Sequence, residues 1–260
     1  MKLFNVRGLL MWVGVLALAS PAAYANLVQN GDFQSTPGLT ASGQIDAPLN
    51  DVADWSSSVK SSFGNNTYNF IYFPGQATTA GPGAADLTDG GNPHVWLYGQ
   101  NDNPLYDLTS PAGGNFLAAD ADPLYSSAIT QTVNNLVVGA TYDLSFYWGG
   151  AQYTTEVGPT TEQWVVGLGS ETQSTAVIDN ASQSFTGWQQ ANLFFTATST
   201  SETLSFLANG TPSNAPPVAV LDGVSLTQTP EPGYYALMVI GLGLLFFTAR
   251  RRSKSANQSV

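Results

Sequence analysis

Between Thr141 and Trp148 the chain alternates with period two, and this constrains its fold more than any other feature. Tyr142, Leu144, Phe146 and Trp148 alternate with Asp143, Ser145 and Tyr147. The pattern recurs twice. Trp164, Val166 and Leu168 alternate with Val165 and Gly167, and Leu204, Phe206 and Ala208 alternate with Thr203, Ser205 and Leu207. Side chains of a strand point to opposite faces in turn, so each run is a half-buried β-strand. Turn residues punctuate the runs at Asn134-Asn135, Gly149-Gly150 and Asn209-Gly210. Many short strands with such turns predict an all-β antiparallel sandwich over residues 26–228. Residues 35–115 are less regular, with a Gly/Pro/Thr stretch from Gly75 to Pro93. They predict long loops, with short strands near Phe70–Phe73 and Val95–Tyr98.

Charge narrows the function. Only 10% of the 260 residues are charged, and their placement is uneven. Lys2 and Arg7 stand at one end, and Arg250, Arg251, Arg252 and Lys254 at the other. From Asn26 to Pro232, one basic residue, Lys60, faces 18 acidic ones, a balance of −17. A field of that sign repels phosphate, which excludes nucleic acid and docking on anionic lipid. Neutral glycans, cations and basic proteins remain as partners. The chain has no cysteine and one histidine, His94. Disulfides, thiol catalysis, thiolate metal sites and multi-histidine metal sites are thereby excluded. No Gly-x-Ser-x-Gly elbow is present, and Glu156 and Glu162 read as part of a solvated loop rather than a glycosidase pair. The expectation is a protein that is not an enzyme.

The two ends read as addresses. Lys2 and Arg7, the apolar stretch Gly8–Ala19 and the small-x-small site Ala23-Tyr24-Ala25 form a secretory signal over residues 1–25. Signal peptidase would cut after Ala25. Gly233–Ala249 is a 17-residue uncharged run. At about 1.5 Å per residue it reaches roughly 25 Å, the lower limit for a transmembrane helix. Arg250, Arg251 and Arg252 follow it directly, so residues 253–260 are expected on the cytoplasmic side and the acidic bulk outside.

Immediately before that run stands Pro230-Glu231-Pro232. Pro-Glu-Pro, a short glycine-containing apolar helix and an arginine cluster resemble the PEP-CTERM sorting signal, here over residues 229–252. The resemblance implies processing by exosortase in a Gram-negative bacterium. It also implies a membrane-anchored precursor, delivery to the cell surface or extracellular matrix, and association with exopolysaccharide. Eight residues follow Arg252, more than the family usually carries.

A second resemblance spans the middle. Asn26–Phe33 is similar to the opening strand of galactose-binding-like jelly rolls, which include several carbohydrate-binding modules. Leu221–Leu226 is similar to their closing strand. Gln131–Val133 with Tyr142–Phe146 looks like their central hairpin, and Gly187-Trp188 with Phe194–Ala197 like the strand that follows. The resemblance implies an antiparallel jelly-roll β-sandwich, flanked here by the N-terminal signal helix and the C-terminal transmembrane helix.

Alternation in Val218, Val220, Val224 and Leu226 points Asp222 inward, where a carboxylate needs a partner. In the resembling modules the opening and closing strands often hold a structural calcium. Carried over, the ligands are the Asp32 backbone carbonyl, Gln34 and Asp222, with Gly114 or Asn115 as further candidates; a hydrogen-bonded or bulge-exposed Asp222 is the alternative. No other cofactor is expected. Asp120-Ala121-Asp122 has a calcium-loop spacing but reads more simply as a turn. Trp55, Trp96, Tyr98 and Tyr153 lie near loops and are the candidate sugar platforms, whereas Trp148, Trp164 and Trp188 read as core. The function expected is binding of, or association with, exopolysaccharide, with a polysaccharide hydrolase or a purely structural matrix protein as alternatives.

Overall fold

The computed structural model describes residues 25–40, 42–45, 51–57, 67–74, 88–89, 92–93, 95, 109–153, 156–213, 217–230 and 238–248. The early strands are short: β1 (Gly43–Gln44), β2 (Ser56–Ser57), β3 (Asn69–Tyr72), β4 (Thr88–Asp89) and β5 (Asn92–Pro93). Then come β6 (Phe116–Asp120), β7 (Ile129–Asn134), β8 (Thr141–Gln152), β9 (Thr160–Leu168) and β10 (Glu171–Ser174). The last are β11 (Ile178–Asn180), β12 (Gln189–Thr196), β13 (Ser201–Thr211) and β14 (Pro217–Gln228). A six-stranded sheet runs β1-β3-β6-β14-β8-β12, and a second runs β10-β9-β13-β7-β2 with β11 also on β9. The ladders within both are antiparallel, so this is the expected antiparallel sandwich.

The three alternating runs are β8, β9 and β13, and their apolar faces meet between the sheets. Leu144, Phe146, Trp164, Val166, Leu204, Phe206 and Ala208 are 0% exposed. Phe206 is the centre of an aromatic cluster, with ring centroids 5.2 Å from Phe146, 5.9 Å from Trp164 and 6.2 Å from Trp55. The Trp164 indole donates to Val220 O at 3.2 Å, a hydrogen bond from one sheet to the other that satisfies its buried N–H. The opening segment lies along β14, where Leu27 N donates to Leu226 O at 2.9 Å.

Three expectations need correction. Residues 131–133 and 142–146 do not form a hairpin. β7 pairs with β13 and β2, β8 pairs with β12 and β14, and residues 135–140 carry the chain from one sheet to the other. Asp222 does not share the face of Val224 and Leu226. The register slips between Asp222 and Ser225, around Gly223 with φ +60°. One extra residue reverses the parity, so Val218 and Val220 pack on the outer face of the first sheet while Val224 and Leu226 enter the inter-sheet core. Finally, Glu162 lies not in a solvated loop but in β9, at 0% exposure.

The first sheet is covered on both faces over part of its width. Phe70, Tyr72, Phe116, Ala118, Ala151, Tyr153, Val218 and Val220 form a second apolar cluster on its outer side. This is why β3 and β6 are buried throughout instead of alternating.

The signal segment 1–24, including Ala23, lies outside the described residues, while Ala25 is exposed. A helix occupies 238–248, within the expected 233–249 span. Among the described residues no helix is long and apolar enough to cross a membrane. Pro230 is exposed just beyond β14; Glu231, Pro232, Arg250, Arg251, Arg252 and the 253–260 tail lie outside the described residues.

Candidate functional site

Two of the four candidate sugar platforms are packing residues. Trp55 is 3% exposed, its ring 5.4 Å from Phe33, and its indole N–H donates to Asn30 O at 3.0 Å. Tyr153 is 5% exposed, set edge-on to Phe70 at 5.8 Å. Burial pushes its phenol well above the usual tyrosine range, with the Asp120 charge adding. Contacts with residues distant in sequence put both rings inside, and neither offers a face to a sugar. Trp96 and Tyr98 lie outside the described residues.

The candidate calcium ligands converge only in part. The Gln34 amide donates from Nε2 to Asp32 O at 2.7 Å and to Gly113 O at 3.1 Å. It lies against Gly114, whose φ is +78° and where a Cβ would fall 2.3 Å from Gln34 Oε1. Asn115 donates to Phe33 O at 3.0 Å. The carbonyls a calcium ion would use are therefore engaged by an amide N–H, with the glycine as its cradle. Asp222 is fully buried; Oδ1 accepts from Gly223 N at 2.7 Å, and Oδ2 has no hydrogen-bond partner. Desolvation pushes this carboxyl up to about 7, opposed by Ser110 and the Gly223 N–H and reinforced by Asp32. As placed, these side chains do not fit a calcium ion, because Gln34 sits between the carbonyls as a donor. Asp122 caps its own turn, accepting from Leu124 N at 2.9 Å, as a simple turn residue does.

A different surface gathers groups suited to sugar hydroxyls. On the outer side of the first sheet, β12 forms the edge, β8 lies inside it and β14 next. The ladders set three rows across these strands: Thr227, Asp143 and Phe194; Ser225, Ser145 and Asn192; Asp222, Tyr147 and Gln190. Trp188 stands just beyond the last row, on the same side of β12 by parity. Gln190 and Asn192 are exposed, Phe194 is 53% exposed, and Asp143, Ser145, Tyr147, Trp188, Ser225 and Thr227 are half-buried. Asn192 Nδ2 donates to Asp143 Oδ1 at 3.0 Å, which orients both groups. Tyr147 packs against Gly223, where a Cβ would lie 3.0 Å from its ring. Trp188 is held edge-on by Phe116 at 5.6 Å and Phe185 at 5.7 Å, while its indole N–H is buried without a partner. Rows two residues apart along a strand are nearly 7 Å apart, so the strip from Asp143 to Trp188 is about 20 Å long.

Sequence alone does not single out Trp188 or Tyr147 for this strip. Trp188 reads as core from a strand pattern, yet it precedes β12, which has a neighbour on one side only. Tyr147 occupies the polar parity of β8, and an aromatic at a polar parity is the one local signal of its role.

No protein-family profile matches the chain, and no curated protein matches it. Solved structures that align with it include the module TmCBM61 in complex with β-1,4-galactotriose, at 13% identity and a TM-score of 0.37, covering 79% of this chain and 99% of that one. Arabinose-bound MgGH51 α-L-arabinofuranosidase aligns at 17% identity and a TM-score of 0.39, over 79% of this chain and 27% of that one. The K1 cleaved adhesin domain of Lys-gingipain from Porphyromonas gingivalis W83 aligns at 11% identity and a TM-score of 0.36, over 73% and 98%. Likeness of this degree decides neither fold nor function, which rest on the geometry of the chain itself.

Proposed function

We propose that this chain is an exported, non-catalytic jelly-roll module that binds neutral polysaccharide on the β8–β12–β14 face. The observation that carries the reading is the strip itself. Phe194, Tyr147 and Trp188 supply apolar rings, while Asp143, Ser145, Asn192, Gln190, Ser225 and Thr227 supply hydrogen-bonding groups between them, the Asn192–Asp143 pair oriented by its own hydrogen bond. Rings stack on the apolar faces of pyranoses, and amides, hydroxyls and a carboxylate pair with their hydroxyls. The acidic balance of the chain favours a neutral glycan over an anionic one.

Affinity electrophoresis of the full chain in mild detergent tests this, run through gels of the host's exopolysaccharide, galactan, xylan and hydroxyethylcellulose. Retardation in at least one gel is expected. Trp188→Ala and Tyr147→Ala should each weaken it tenfold or more, a loss of about 1.4 kcal/mol. Free migration in every gel overturns the reading and favours the structural matrix protein. Release of reducing sugar overturns the non-catalytic part.

The C-terminal segment supports export to a surface. Ile240, Leu244, Leu245, Phe246 and Phe247 are 57–78% exposed on the 238–248 helix, an apolar surface that a bilayer would cover. We read residues 229–252 as a sorting signal that holds the precursor in the membrane through 233–249, where exosortase acts at Pro230-Glu231-Pro232. Replacing these three residues with alanine is expected to leave full-length precursor in the membrane fraction. Processing at the wild-type rate in an immunoblot time course overturns that assignment.

A further inference from the structure

Away from the glycan face, one end of the sandwich interior holds four buried side-chain oxygens with no hydrogen-bond partner among the described residues. They are Glu162 Oε1, Glu162 Oε2, Thr160 Oγ1 and Asn180 Oδ1. Thr160 and Glu162 stand two residues apart on β9, at 2% and 0% exposure, so they share a face. Asn180 on β11, at 2% exposure, is the register partner of Thr160. The ladder therefore brings all three side chains to one buried patch.

The surroundings provide oxygen without positive charge. Asn180 Nδ2 donates one of its two N–H groups to Ser184 O at 3.0 Å, which orients the amide and leaves its Oδ1 buried without a partner. Across from β9, β8 has a glycine: a Cβ at Gly150 would fall 2.4 Å from Glu162 Oε2. Gly150 N donates to Thr186 Oγ1 and its carbonyl accepts from Thr186 N, each at 2.9 Å, so that backbone does not serve the carboxylate. Gln152 is also occupied, with Gly158 O at 3.0 Å and Gln183 N at 2.6 Å. No Lys or Arg is among the described residues. The Thr160 hydroxyl is near enough to ease the Glu162 charge but carries no charge of its own. Ionised with no cation beside it, this buried carboxylate costs several kcal/mol. An ionised carboxylate gathered with two further oxygens, and with no cationic group among the described residues, points to a missing positive charge.

We infer that Glu162, Thr160 and Asn180 form an internal site for a hard cation, and that the cation is Ca2+. Calcium takes carboxylate and amide oxygens in irregular, flexible geometry, whereas Mg2+ demands a near-ideal octahedron that a strand ladder does not offer. Among the described residues no three acidic or imidazole groups converge, so the charge count is low. Affinity then falls in the range of extracellular modules, with a Kd on the order of 10⁻⁴–10⁻³ M. A bound ion would tie β11 to β9 and set both against the Gly150 stretch of β8. The site thus joins the two sheets and acts on stability.

The test is thermal unfolding of the full chain in mild detergent, with 10 mM CaCl2, with 10 mM MgCl2 or with chelator, together with equilibrium binding of radioactive Ca2+. Calcium is expected to raise the midpoint by about 3–5 °C over chelator, and magnesium to have little effect. Glu162→Gln keeps the shape and should abolish both the midpoint response and the binding. Asp222→Asn should retain both, because it lies in the other candidate region. A wild type that neither binds Ca2+ nor responds to it overturns the inference. So does a response that survives Glu162→Gln, or one lost in Asp222→Asn alone.

Discussion

Phe206→Ala is expected to destabilise the chain by about 3–5 kcal/mol, as removal of a fully buried aromatic does. Phe206 is 0% exposed and meets Phe146, Trp164 and Trp55, so its ring joins three strands and the segment leading into β2. The geometry of those pairs is edge-on, and each loses its aromatic contact as well as its burial. The Trp164 ring, tied to Val220 O, cannot move into the cavity without breaking the bond between sheets. Against a total of about 5–15 kcal/mol, this loss would leave the fold marginal. Urea unfolding of the full chain followed by tryptophan fluorescence measures it. Phe206→Leu, which keeps most of the volume, should cost clearly less. Phe194→Ala, at 53% exposure, should stay within about 0.5 kcal/mol. A Phe206→Ala midpoint equal to that of Phe194→Ala would show that the cluster does not hold the sheets together.

In chelator, stability is expected to fall as pH rises from about 4 to about 8. Two buried carboxyls cause this. Desolvation pushes Glu162 up to about 8, opposed by Thr160 and reinforced by Asp179, and pushes Asp222 up to about 7. The unfolded chain releases these protons near the ordinary values of 4.5 and 3.8. Between those limits the folded state binds more protons than the unfolded one. The sign of the linkage therefore makes the folded state lose stability with rising pH, and the loss is complete above the folded values. Raising a carboxyl's pKa by 1 on folding corresponds to about 1.4 kcal/mol, so the two groups together account for several kcal/mol. Glu162→Gln and Asp222→Asn should each match wild type near pH 4, unfold later than it at pH 8, and flatten the slope between. An unchanged slope in the double variant would falsify the assignment.

The strands are legible where burial repeats with the pleat. In β8, β9 and β13 the alternation names the core residues directly, including Trp148 and Trp164. The candidate site is mostly not legible, and each failure has a local cause. Asp222 reads as inward from a parity that a single bulge residue reverses. Trp55 and Tyr153 look like loop aromatics until Phe33 and Phe70 are brought against them. Glu162 reads as a loop acid until β11 pairs with β9 and Gly150 closes over it.

By itself, then, the sequence determined an all-β domain, the faces of its long strands and the net acidic balance, because periodicity and charge are properties of the residues along the chain. Only the tertiary structure decided which side of β14 carries Asp222, which aromatics line the open strip and which oxygens are left buried without a partner. Those depend on register and on contacts between strands far apart in sequence, and no local pattern encodes them.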